Sequence, residues 1–242
     1  MSSLAGLVAM VTGGGSGIGR AVALALAEQG VRIALVGRRR EPLEAVAETI
    51  GKNQGLAWVL PADLAEEAQI RRLIEAFEQV SPRLDLLIHA AAMVRLGAMA
   101  EAPARDFVDQ FRTNLLGPYV LTQGVLGLIR AARGQVVFIN SSAGLNASAR
   151  GGAYAATKHG LKAIADSLRE EVNGDGVRVL SVYPGRTATP TQEAVHAWEG
   201  RSYRPELLLQ PEDVASIIVP ALALPRTAEV TDIRIRPLIK SY

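Results

Sequence analysis

Residues Thr12-Gly13-Gly14-Gly15-Ser16-Gly17-Ile18-Gly19 constrain this chain more than any other stretch. Five glycines in eight residues disfavour a helix or strand interior, because glycine loses the most backbone freedom on ordering. The stretch lies between a short apolar run, Leu7–Thr12, and the helical pattern Gly17–Gly30, with Ile18, Val22, Leu24 and Leu26 as its apolar positions. Strand, glycine turn and helix in succession open a βαβ unit, the setting in which a pyrophosphate is bound. Glycine lets the backbone approach the ligand, and the helix N-terminus offers free N–H groups and partial positive charge. The sequence therefore predicts a nucleotide here rather than a plain turn.

The rhythm continues along the chain. Val31–Val36, Leu56–Leu60, Leu84–His89, Gln135–Asn140, Val177–Tyr183 and Glu229–Arg236 are further strand candidates. Between them, Glu41–Ile50, the amphipathic Leu64–Val80, Glu101–Ala132, Ala153–Val172 and Pro211–Leu224 have helical patterns, with a break expected at Gly117-Pro118. Arg186–Gln210 is expected to be an irregular functional loop. Such alternation predicts an α/β fold: a doubly wound, seven-stranded parallel sheet with helices on both faces. No linker, repeat or composition break divides residues 1–242, so one domain is expected.

Composition narrows the chemistry. With no cysteine there are no disulfides, thiolate metal sites or cysteine nucleophiles. His89, His159 and His196 are too scattered for a zinc motif. The 26 basic and 24 acidic residues leave a net charge of +2, with acids interspersed among the arginines, unlike the clustered positive face of a nucleic-acid binder. Lysines are few: Lys52, Lys158, Lys162 and Lys240. The N-terminus lacks the basic and long apolar regions of a signal peptide. No run approaches the roughly 20 apolar residues of a membrane span. A soluble, cytoplasmic protein without membrane or nucleic-acid partners is expected.

The loop spacing, Thr-Gly-x-x-x-Gly-x-Gly, resembles that of the classical short-chain dehydrogenase/reductase family, and four further stretches match it in order over essentially the whole chain. The resemblance implies a Rossmann-type fold and a nicotinamide cofactor held by Gly13, Gly15, Ser16, Gly17, Ile18 and Gly19. After the second strand, Val36-Gly37-Arg38-Arg39-Arg40 has no acid for the ribose hydroxyls of NAD. Arg38, with Arg39 second, suits the 2′-phosphate of NADP(H) instead, leaving NAD(H) as the alternative. Asp63, followed by Leu64, matches the adenine-contacting aspartate; as a sequence signal it also suits a helix N-cap. Ile88-His89-Ala90-Ala91-Ala92 departs from the family's Asn-Asn-Ala-Gly, which places strand-end hydrogen bonding in question. Small Ala90 and Ala91 still admit the cofactor, and His89 is expected to be structural or on the adenosine side rather than catalytic.

Tyr154-Ala155-Ala156-Thr157-Lys158 puts a phenol and an ammonium on one helix face. A nearby ammonium, with an oxidised nicotinamide, favours phenolate and lets Tyr154 exchange a proton with a carbonyl oxygen. By resemblance, Ser141, thirteen residues earlier, hydrogen-bonds the substrate oxygen; Asn114 holds a water linked to Lys158. Asn114, Ser141, Tyr154 and Lys158 are thus the implied catalytic set. Pro184, Gly185, Thr187 and Thr189 match the stretch beside the nicotinamide. The segment 186–210 is expected to be a substrate lid lined by His196, Trp198, Tyr203 and Leu207.

These residues together imply NADP(H)-dependent hydride transfer with a small carbonyl or alcohol substrate. NAD-dependent alcohol oxidation and a low-turnover cofactor-binding sensor are the alternatives. Relatives are commonly tetramers or dimers, so a homo-oligomer is implied, with Leu238–Ile239 placed in an interface or over the sheet edge.

Overall fold

The computed structural model describes residues 3–239; Lys240 lies outside them. Seven parallel strands form one sheet in the order β3-β2-β1-β4-β5-β6-β7. They are β1 (Val8–Thr12), β2 (Arg32–Gly37), β3 (Ala57–Pro61), β4 (Leu86–His89), β5 (Gln135–Ile139), β6 (Arg178–Pro184) and β7 (Asp232–Ile235). The expected fold class holds. Strand side chains alternate between two cores: on β1, Ala9 and Val11 face one, Val8 and Met10 the other. The first core takes Leu26 of α1 (Gly17–Glu28), Leu43 of α2 (Arg40–Lys52) and Ile218 of α8 (Pro211–Leu222). The second takes Phe77 of α3 (Glu67–Val80), Val125 of α5 (Gly117–Ala132) and Leu161 of α6 (Gly152–Val172).

The chain runs outward from β1 to β3, then returns to β4 on the other side of β1. The carboxyl ends of β1 and β4 thus flank the point where strand order reverses, which opens a crevice. Thr12 pairs in register with His89 there.

Three expectations are corrected. The break near Gly117-Pro118 is a π-helical segment, Arg112–Leu116, between α4 (Ala104–Phe111) and α5. Pro118 has no N–H, so the α-helical bond to the Asn114 carbonyl is missing, and the helix widens just before it. The run 104–132 is also long and apolar enough, by length and composition, to cross a membrane. Part of its apolarity serves packing, with Leu121, Val125 and Ile129 fully buried against the sheet, while Phe107, Phe111 and Tyr119 stay exposed. Last, 186–210 is not irregular throughout: it holds α7 (Pro190–Glu199) and a 3-10 turn, Pro205–Leu207. Thr189 caps α7 by accepting the Gln192 N–H at 3.1 Å, Pro190 starts it, and Gly200 ends it at φ 66°. These are ordinary start and stop signals that the sequence carried.

Leu238 and Ile239 are exposed, so they do not cover the sheet edge. That edge, β7, carries exposed Asp232 and Arg234, charges that discourage further strand pairing.

Candidate active site

The glycine loop crosses the crevice at the carboxyl end of β1. Gly13 has φ 68°, and a Cβ there would lie 2.8 Å from the Ala91 nitrogen. At Gly19 a Cβ would lie 2.4 Å from the Gly13 carbonyl oxygen. Loop, strand end and helix are packed backbone to backbone. Ser16, the N-cap of α1, makes no capping hydrogen bond, and no acid lies in the first turn. The first N–H groups of α1 therefore have neither a side-chain cap nor an acidic neighbour in that turn, a fit for phosphate.

The strand-end hydrogen bonding left in question by the alanines is supplied by Thr12. Its fully buried hydroxyl accepts the N–H groups of Ala90 at 3.0 Å and Ala91 at 3.2 Å, and donates to Ile88 O at 3.3 Å. His89 stacks on Phe138 with ring centroids 4.9 Å apart, and its Nε2 lies 2.8 Å from Thr122 Oγ1. Burial, helped by the charge of Lys158, lowers its pKa to about 3, so it is neutral at physiological pH.

A cleft of about 420 Å³ runs from the loop to α6 and α7. Gly13, Gly15, Ser16, Gly17, Ile18 and Gly19 line it, as do Arg38, Arg39, Asp63, Leu64, Ala90 and Ala91. Toward the other end lie Ser141, Tyr154, Lys158, Pro184, Gly185, Thr187 and Thr189. Arg38 and Arg39 are exposed where β2 ends, before α2. Asp63 is not the N-cap of α3; that position is Glu66. Asp63 Oδ1 instead accepts the Ala65 N–H at 3.0 Å, folding a turn ahead of the helix.

Asn114 does not line the cleft; it is fully buried behind it. Its side chain clamps the loop after β4, accepting the Met93 N–H at 2.8 Å and donating to Met93 O at 2.9 Å. It also donates to Thr157 Oγ1, whose hydroxyl donates to Tyr154 O. Thr157 and Gln110, which accepts the Arg95 N–H at 2.9 Å, are supports that the motifs did not reveal. Both are buried polar residues on helices, a signal visible only once the inward face is known.

Lys158 is 1 % exposed, and its Nζ donates to Ile139 O at 3.0 Å. Nζ is 5.9 Å from the centre of the Tyr154 ring. Burial lowers the Lys158 pKa to about 8. Burial also raises that of Tyr154 to about 12, against the opposing pull of Ser141. In the protein without its cofactor the phenol thus keeps its proton at neutral pH; the expected shift toward phenolate belongs to the complex, where an oxidised nicotinamide adds its charge to that of the lysine. Ser141 Oγ accepts the Ala143 N–H at 3.1 Å, and its hydroxyl hydrogen is directed at the Tyr154 oxygen, where a hydrogen bond favours the ionised phenol.

The segment 186–210 contributes other residues to the cleft than expected. Gln192, Val195 and Glu199, on one face of α7, line the cleft; His196, Trp198, Tyr203 and Leu207 do not. His196 is buried behind, its Nδ1 2.8 Å from Gln192 O. Trp198 sits beneath the Arg95 guanidinium. Glu199 accepts a hydrogen bond from each terminal nitrogen of Arg186 at 2.8 Å, tying α7 to the end of β6. This ion pair holds the Glu199 carboxyl below its ordinary pKa.

A glycine loop and uncapped helix at the switch point of a parallel sheet, opening into a cleft with a phenol and a buried amine, define a dinucleotide-dependent enzyme of the α/β class. Comparison with known proteins makes this specific. The short chain dehydrogenase family model matches residues 7–200. An uncharacterized oxidoreductase of Staphylococcus aureus strain USA300 is 29% identical over 98% of this chain and 100% of its own. Glycine betaine reductase ATRR of Emericella nidulans is 33% identical over 97% of this chain but only 19% of its own length. Among solved structures, a metagenomic short-chain oxidoreductase in complex with NADP has a TM-score of 0.85 and 29% identity, covering 99% of this chain and 100% of that one. A variant of actinorhodin polyketide ketoreductase with NADPH has a TM-score of 0.89 and 25% identity, covering 100% of both chains. The chain belongs to the short-chain dehydrogenase/reductase family and is an NAD(P)-dependent oxidoreductase.

Proposed function

We propose that this oxidoreductase prefers NADP(H) and reduces a small carbonyl compound, with Tyr154 as the general acid. The carrying observation is that Ser141, Tyr154 and Lys158 line the same cleft as the glycine loop. The nicotinamide supplies the hydride when bound. The chain's own residues handle the oxygen. Ser141 donates a hydrogen bond to it, and Tyr154 delivers the proton as negative charge develops. A phenol that holds its proton at neutral pH suits reduction, where a proton must be given. Lys158 keeps positive charge beside the phenol, and Asn114 fixes the loop and helix around it. The whole chain acts as one unit with 186–210 as its lid. Arg38 and Arg39 support the NADP(H) preference, since a 2′-phosphate would complement two exposed guanidiniums at the end of β2. The reading extends to a cytoplasmic homo-oligomer: Phe107, Phe111 and Tyr119 expose apolar surface along one helical run, which light scattering tests.

The test is oxidation of NADPH and NADH in parallel against aldehydes, ketones and 3-oxoacyl thioesters. Turnover favouring NADPH, abolished by Tyr154→Phe and shifted toward NADH by Arg38→Ala with Arg39→Ala, is the expected result. More than about a tenth of the activity remaining in Tyr154→Phe overturns the acid assignment. A preference for NADH overturns the cofactor assignment, and cofactor binding without turnover on any carbonyl favours a sensor.

A further inference from the structure

One side chain joins the end of β5 to α6. Asn140 is 4 % exposed and directly follows β5. Its Oδ1 accepts the Ser141 backbone N–H at 2.9 Å, and its Nδ2 donates to the Lys158 backbone carbonyl at 3.0 Å. The preceding residue, Ile139, accepts the Lys158 ammonium on its own carbonyl. Consecutive residues of one strand end therefore grip Lys158 at both its side chain and its main chain. Gly144 closes the arrangement: a Cβ there would lie 2.3 Å from Asn140 Oδ1 and 2.9 Å from the Lys158 carbonyl oxygen. No other residue lets the turn after Ser141 pack so closely on the amide.

We propose that Asn140 is a positioning residue for the reaction, fixing Ser141 and Lys158 relative to each other through its side-chain amide. This rests on the proposal that Ser141, Tyr154 and Lys158 carry the chemistry. The amide has one satisfactory orientation. Flipped, it would set Nδ2 against the Ser141 N–H and Oδ1 against the Lys158 carbonyl, opposing like partners at both ends. A buried polar group with both ends engaged resists displacement. Ser141 and Tyr154 must meet one oxygen, and Lys158 lies one helical turn from Tyr154, so movement of α6 against β5 spoils that alignment directly. A displacement of about 1 Å is enough to slow a reaction about a hundredfold.

Asn140→Ala and Asn140→Asp test this, with Tyr154→Phe as a control. The measurements are NADPH oxidation with the best carbonyl of the panel across pH, NADPH affinity by fluorescence, and tyrosinate absorbance of the cofactor-free protein. For Asn140→Ala, kcat is expected to fall about tenfold to a hundredfold, with NADPH affinity within about twofold of wild type. Asn140→Asp keeps the acceptor for Ser141 but loses the donor to Lys158. Its carboxylate beside the lysine is expected to move the pH profile of kcat, and the Tyr154 absorbance titration, to higher pH. A strut that serves only the fold would lower thermal stability in both variants and leave kcat per folded molecule and both pH profiles unchanged; that result overturns the proposal. Full activity of Tyr154→Phe overturns it too, by removing the chemistry it rests on, whereas an inactive Tyr154→Phe beside unchanged Asn140 variants overturns the positioning role alone.

Discussion

Replacing Lys158 by methionine should stabilise the protein at neutral pH while abolishing its chemistry. In the fold the Lys158 pKa falls from 10.5 to about 8, because burial disfavours the ammonium. The unfolded chain then binds the proton more tightly than the folded one, so stability rises with pH from about 8 to 10.5. At pH 7 the charged lysine costs about 3 kcal/mol, at 1.36 kcal/mol per unit; by pH 9.5 the cost is roughly half that. Methionine removes this penalty and fills similar volume, but forfeits the charge-assisted bond to Ile139 O, worth at least about 1.5 kcal/mol. The net gain is then at most about 1.5 kcal/mol at pH 7, or about 3–6 °C in Tm for a chain of this length. Urea and thermal unfolding of both proteins at pH 7 and pH 9.5 measure it. A variant less stable than wild type at pH 7, or an advantage that does not shrink at pH 9.5, refutes the reasoning.

Thr12→Val leaves the N–H groups of Ala90 and Ala91 without their acceptor, and a loss of about 3 kcal/mol is expected by urea unfolding, with weaker NADPH binding because both alanines line the cleft. His89 has a folded pKa of about 3 against 6.5 unfolded, so its contribution is present above pH 6.5 and is lost as pH falls toward 3. Between pH 7 and pH 4.5 wild type should lose about 3 kcal/mol more stability than His89→Asn in paired denaturant titrations. Glu199→Gln breaks the paired bonds to Arg186, so amide hydrogen exchange across 190–199 should quicken while the strand amides keep their protection.

The alternation of apolar runs and helical patterns was enough to give the seven strands and the doubly wound sheet, because each face of a parallel sheet needs a covering helix. The glycine spacing located the loop between β1 and α1, and Tyr154 and Lys158, four apart, shared a helix face wherever the helix lay. Such features depend on neighbours in the chain. The helix α7 was legible too, in Thr189, Pro190 and Gly200, but the prolines and glycines around it suggested a loop.

Other features arise only when distant segments meet. Thr12 takes over the strand-end bonds at Ala90 and Ala91 because β1 and β4 are neighbours in the sheet, and Asn140 reaches Lys158 because α6 packs against the end of β5. Asp63 is released from the helix cap by a turn that begins α3 later than its pattern suggests. The same holds for proton affinity: one helix face brings the ammonium to the phenol, but burial decides their pKa values, and burial is set by everything packed around them. Sequence by itself determined the sheet, the glycine loop and the placing of Tyr154 and Lys158 on one helix face, since these follow from local period and spacing. Tertiary structure alone decided which of those groups are buried, what holds them and which residues of 186–210 face the cleft, since desolvation and hydrogen bonding depend on atoms far away along the chain.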